Sequence, residues 1–129
     1  MAWHPSEEEI TNVVSLSAEK RYEYFIHHVV DEESLWALWK DGWAIMGDSD
    51  GNEVFPIWPH QDFAALCANG AWDNYTPKVI ELGVWMEKWL PGLQRDQRLV
   101  AVFPTPDNQG IERPPLAHRE DLATELENY

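Results

Sequence analysis

Eight tryptophans, Trp3, Trp36, Trp39, Trp43, Trp58, Trp72, Trp85 and Trp89, stand in a chain of 129 residues whose formal net charge is −14. Each indole brings a large apolar surface and one N–H donor that needs a partner when buried. One small domain holds more aromatic area here than its core requires, so some rings are expected at the surface, where Trp serves as a contact anchor. The charge narrows the partners. With 23 acidic against 9 basic side chains, the chain lacks the basic surface that phosphate neutralisation demands, and nucleic acid is excluded as a ligand class. Anionic lipid is excluded on the same ground. A partner reached electrostatically should be neutral or basic.

The length is close to that of one ordinary domain, and residues 1–129 are expected to form a single unit. A hydrophobic share of 44% is normal for a globular protein and rules out charge-driven disorder. Cys67 is the only cysteine, so no intrachain disulfide can form. The first residues, Met1 to Glu9, lack the basic and apolar regions of a signal peptide. No apolar run reaches the roughly 18–20 residues needed to span a bilayer. A cytoplasmic location is expected.

Ser6 and Glu9 form a capping-box pair, and Glu7 to Glu9 suit the positive end of a helix. Helices are expected near 7–15 and 18–32. In the second, Ala18, Tyr22, Phe25, Ile26, Val29 and Val30 repeat at helical spacing. The period then changes. Leu35–Trp39, Trp43–Met46 and Glu53–Trp58 read as a three-stranded antiparallel meander, turned at Asp41-Gly42 and at Asp48–Asn52. Pro56 places the third strand at an edge or a bulge.

Residues 60–69 read as a helix with Phe63, Leu66 and Cys67 inward, stopped at Gly70. Trp72 and Tyr75 fall in a polar loop. A strand is expected over 78–82, then a helix carrying Leu82, Trp85, Met86, Trp89, Leu90 and Leu93 inward and interrupted by Pro91-Gly92. Leu99–Phe103 is a buried strand, 107–115 a loop, and the acidic remainder a last helix with Leu122, Ala123 and Leu126 inward. The sum is an α+β fold, a mainly antiparallel sheet of about five strands packed by helices.

Lys20–Ile26, Asp41–Gly47 with Phe55–Pro59, Lys88–Leu93 and Val100–Pro104 together resemble a small bacterial family catalogued as a domain of unknown function. The resemblance covers nearly the whole chain and implies a stand-alone cytosolic protein, with no catalytic residues to carry over. The layout also resembles, at the level of fold, small α+β modules that act as secretion accessories or toxin-neutralising immunity proteins.

No complete catalytic motif is present. Asp48–Glu53 invites a calcium reading, but a calcium loop needs Gly sixth and Glu twelfth. Here Gly51 is fourth and Pro59 twelfth, so the segment reads as a turn. His27 and His28 point about 100° apart on a helix and cannot chelate one ion. Glu23 and Asp31 flank His27 as ion-pairing neighbours. Cys67 has no adjacent base or cationic field to make it a nucleophile, and reads as a small buried hydrophobe. No cofactor or metal is expected.

The candidate contact residues are therefore aromatic: Trp39, Trp43, Trp58, Trp72 and Tyr75. The favoured function is a non-enzymatic acidic binding module that contacts a basic protein, as an accessory or immunity-type protein would. The alternative is a binder of a sugar or cationic metabolite, or an enzyme, with a pocket lined by Trp and carboxylates. A homodimer through the Pro56 edge is a third arrangement.

Overall fold

Two serines start the fold. The Ser6 hydroxyl accepts from the Glu9 amide at 3.1 Å and opens α1, Glu7–Val14. Ser17 accepts from the Lys20 amide at 3.2 Å and opens α2, Ala18–Glu32. These caps satisfy amides that a helix end would otherwise leave bare. The computed structural model describes residues 3–128; Met1, Ala2 and Tyr129, which fall within the expected domain bounds, lie outside them.

The remaining elements are β1, Ser34–Trp39; β2, Met46–Gly47; β3, Glu53–Ile57; α3, Gln61–Leu66; β4, Thr76–Glu81; α4, Leu82–Val84; α5, Leu90–Arg95; β5, Leu99–Val102; β6, Ile111–Arg113; and α6, Pro115–Glu127. The class is α+β, as the sequence indicates. The strands form two sheets. One is the antiparallel pair β1–β4, with Trp39 opposite Thr76 and Ser34 opposite Glu81. The other runs β2-β3-β5-β6, antiparallel except where β3 and β5 lie parallel.

The expected three-stranded meander does not close into one ladder, and Pro56 shows why. Side-chain and hydrogen-bonding directions alternate along a strand. Ile57 faces β5, since its carbonyl accepts from the Phe103 amide at 2.8 Å. Val54 faces β2, and Trp58 faces β1 through two 2.9 Å bonds with Trp36. Pro56 lies between those two contacts, where its missing N–H leaves a gap. Thus β1 meets β3 at the single Trp36–Trp58 bridge and finds its full partner in β4. The sequence reading allowed an edge or a bulge at this proline; β3 is an inner strand, and its ladder on the Pro56 side is short.

Residues 54–57 are all buried, as are Val100, Ala101 and Val102. Strands covered on both faces need such continuous apolar runs. Helix α2 contributes Phe25, Ile26, Val29 and Val30 to the core, and α6 contributes Leu122.

Three local expectations change. Leu66 turns outward at 40% exposure, leaving Phe63, Ala64 and Cys67 to face the core. The 82–95 run is continuous through Pro91-Gly92 because a π-helical turn, Trp85–Trp89, joins α4 to α5. Pro91 cannot donate to the preceding turn, and widening that turn relieves the clash of its ring with the backbone behind it. The Met86 carbonyl in this turn accepts from Arg119 Nε at 3.0 Å. Finally, the 107–115 loop contains β6, paired to β5. In α6, Leu126 is exposed, and the buried position is His118 instead.

Candidate functional site

The candidate aromatic residues separate into two places. Trp39 and Trp43 flank the Asp41-Gly42 turn, bridged to each other, with Asp41 at φ 54°. Their rings meet edge to face at 4.9 Å, and Trp43 meets Trp89 edge to face at 5.0 Å. Trp89 in turn packs 5.2 Å from Phe55 and 5.9 Å from Trp85. The row runs from buried Phe55 and Trp85 outward to half-buried Trp89, Trp43 and Trp39. Lys78 of β4 sets its Nζ 4.2 Å from the Trp39 ring centre and 5.3 Å from that of Trp43. An ammonium over an indole face is held by the ring quadrupole.

Trp72 and Tyr75 belong to the second place. Trp72 closes a short 3-10 turn, Gly70–Trp72, after α3, and both it and Tyr75 are half-buried. Trp58 is 0% exposed and is corrected from contact residue to core. Its Nε1 donates to the Pro104 carbonyl at 2.8 Å, and its ring supports Trp72 edge-on at 6.1 Å. The period-2 pattern of β3 is no guide to its exposure, because both faces of that strand are covered.

Trp72 borders a cleft of about 740 Å³ formed by β2, the segment that follows α3 and the loop 104–110 that follows β5. The loop is tied down from behind. Arg21, 3% exposed, donates to the carbonyls of Phe103 at 3.2 Å and Leu16 at 2.6 Å, and to Asn108 Oδ1 at 2.7 Å. The Cys67 thiol lies 3.4 Å from the Pro104 carbonyl. Burial pushes that thiol up to about 11, so it stays protonated and unreactive near neutral pH.

A third cluster escaped the sequence reading. Tyr22 Oη donates to Asp121 Oδ2, and Arg113 grips the same carboxylate through Nε at 3.0 Å and Nη2 at 3.2 Å. His118 Nδ1 lies 3.2 Å from Tyr22 Oη. Because that hydroxyl donates to Asp121, it accepts from His118, which fixes the neutral Nδ1–H tautomer. Burial, and then the Asp121 hydrogen bond, raise the Tyr22 phenol. Burial holds His118 down at about 4. His118 Nε2 and the neighbouring Trp85 Nε1 are buried without a partner, their rings 6.0 Å apart.

The cluster therefore consists of two neutral groups and one closed ion pair, joining α2, β6 and α6. A proton acceptor for catalysis must reach substrate, and His118 is sealed. The spacing of His118 and Leu122, four apart, is the only signal that could have found it.

The other histidines pack rather than ligate. His28 stacks on Trp3 at 3.9 Å, and His60 Nδ1 accepts from the Asp62 amide at 3.1 Å to cap α3. His27 reaches Glu125 at 3.7 Å. Asp48 accepts from the amides of Asp50 and Asn52 at 2.9 and 2.8 Å, so the calcium-like segment is a self-satisfied turn. Among the described residues, no three His, Cys, Asp or Glu side chains gather as a metal ion requires. Among them, too, no helix is long and apolar enough to cross a membrane.

Comparison with curated proteins and with solved structures returns no significant match. A family profile does match, over residues 22–122, and this span takes in the aromatic row, the cleft and the Tyr22–Asp121 cluster. The chain belongs to the family described as protein of unknown function (DUF2750).

Proposed function

We propose that this chain is a non-enzymatic, cytoplasmic binding module whose Trp39–Trp43–Trp89 face receives a basic segment of a protein partner. One observation carries the reading: the notch between Trp39 and Trp43 already holds a cation, the chain's own Lys78. A partner's Lys or Arg would take the same place by displacing it. Half-exposed Trp supplies rigid contact area at small entropic loss, as interface anchors do. The net charge of −14 adds long-range attraction, which speeds encounter more than it deepens affinity.

The ionisable groups support a binding role over bond chemistry. Cys67 is protonated, His118 is enclosed, and the Asp121 carboxylate is spent on Arg113 and Tyr22. An accessory or immunity-type role is the form of this reading that a basic toxin or secreted protein would fit. The immobilised protein should retain one stoichiometric basic partner from its native lysate, and Trp39→Ala with Trp43→Ala should release it. Failure to capture any such partner, or undiminished capture by the double variant, overturns the proposal.

A further inference from the structure

The loop 104–110 that walls the cleft is tightly constrained. Phe103, a bulky residue, sits at φ 59°, and Gly110 sits at φ 78°. Backbone of the first kind is a genuine outlier, and such strain persists where the surroundings impose it. A Cβ on Gly110 would stand 2.4 Å from the Val102 carbonyl, so the loop passes the strand too closely for any side chain. Behind the loop, the Arg21 guanidinium is buried against three neutral oxygens. Burying a cation without a carboxylate is unfavourable, and here it serves to fix the loop's shape.

The walls tell what that shape suits. Asn69 donates its Nδ2 to the Leu66 carbonyl at 2.8 Å, which leaves its Oδ1 as a free acceptor. Asn108 is the converse. Its Oδ1 is taken by Arg21 and by the Gly110 amide at 2.8 Å, which leaves Nδ2 as a donor. Thr105 and Gln109 add groups that both donate and accept. Trp72 supplies an aromatic wall. Among the described residues, Asp107 is the one charged side chain that lines the cleft, and its sign repels anions.

From these we infer that the cleft is a binding site for an uncharged saccharide, one or two pyranose rings stacked on Trp72 with hydroxyls bonded to the amides of Asn69, Asn108 and Gln109. A hydroxyl is donor and acceptor on one atom, and so answers both fixed amide orientations. Sugar rings present C–H faces to an indole. The volume lies within the range of roughly 300–1,000 Å³ usual for small-ligand sites. The inference does not depend on the Trp39–Trp43 face.

The test is a titration of the isotope-labelled protein with cellobiose and with diacetylchitobiose, followed by NMR. Saturable shifts of the Trp72 indole and the Gly110 amide are expected with at least one of them. Gln109→Ala, at an exposed position outside the fold's hydrogen bonds, should weaken binding about fivefold, the equivalent of one hydrogen bond. Trp72→Ala should abolish it while the amide spectrum stays folded. No saturable shift with either disaccharide overturns the inference. So does equal binding by both variants, a response confined to Trp39 and Trp43, or saturation of these resonances by spermidine alone.

Discussion

Arg21 and Lys78 each set a cation over an aromatic ring, Arg21 at 5.9 Å from the Phe103 centre and Lys78 at 4.2 Å from that of Trp39. Burial separates their uses. Arg21 is sealed beneath the loop 103–110, and its donors go to three oxygens from two segments, that loop and the α1–α2 connection at Leu16. Lys78 is exposed on β4 and makes no other contact of comparable quality among the described residues. The first cation is a fastener whose removal leaves bare carbonyls. The second is a tenant on a platform, held by an interaction worth about 0.5–1 kcal/mol at an exposed site. One region is therefore fixed in shape and the other is exchangeable.

Arg21→Met tests the fixed region most severely. It keeps the stem's volume but strands the carbonyls of Leu16 and Phe103, while Asn108 Oδ1 keeps the Gly110 amide. With about 1–3 kcal/mol for each of these two carbonyls left alone, the loss of stability should be about 2–6 kcal/mol. Urea unfolding with an unchanged slope would measure it. A loss below about 1 kcal/mol would place Arg21 with Lys78 as an optional cation, and the contrast would dissolve.

His118 extends the comparison to a group that burial has stripped of charge. Its folded value, about 4, lies below the ordinary 6.5. Between those values the unfolded chain binds a proton that the folded chain refuses, so stability falls as pH drops from 6.5 toward 4 and levels off below. The size of the effect is on the order of 3 kcal/mol. His118→Gln should flatten that part of the pH–stability curve while the carboxylate-driven part remains. A curve of unchanged slope would mean that this imidazole is not neutral in the fold.

Much of this architecture is written locally in the chain. Ser6 and Ser17 cap the helices they announce, and Asp48 to Asn52 turns as its residues require. What is not local is harder to read. Nothing near Leu35 says that β1 will pair with β4, and β6 is three residues whose only recommendation is a neighbour in β5. The exposure of the candidate aromatics divides on the same line. That Trp39 and Trp43 stay half-exposed was legible because they flank a turn of their own. Trp58 was not, because a carbonyl 46 residues away buries its N–H. The Arg21 fastening, which spans 82 and 87 residues to the loop, left no trace at all.

Two glycines sharpen the distinction between an imposed loop and a free turn. Gly110 and Gly51 share a positive φ, 78° and 84°. A Cβ at Gly51 meets nothing within 4 Å, whereas one at Gly110 strikes the Val102 carbonyl. Gly51→Ala should lose only the conformational term, about 1 kcal/mol. Gly110→Ala should lose that and a backbone displacement besides, about 2–3 kcal/mol in all. Equal melting temperatures for the two variants would show the loop yielding as easily as the turn.

Lys78→Met should have the smallest effect on the fold and the most telling one on binding. The methionine keeps an apolar stem against Trp39, so stability should change by less than about 1 kcal/mol. Affinity carries the information in its sign. If Lys78 is a placeholder for a partner's basic side chain, its removal frees the notch and one unit of repulsion, and binding should tighten a few-fold. If Lys78 itself reached an acidic partner, binding would weaken instead. Calorimetric titration of wild type and variant with the captured partner therefore decides more than whether this face binds. It decides which charge the face was built to receive, and a weakened variant would reverse the assignment of a basic partner while leaving the aromatic platform in place.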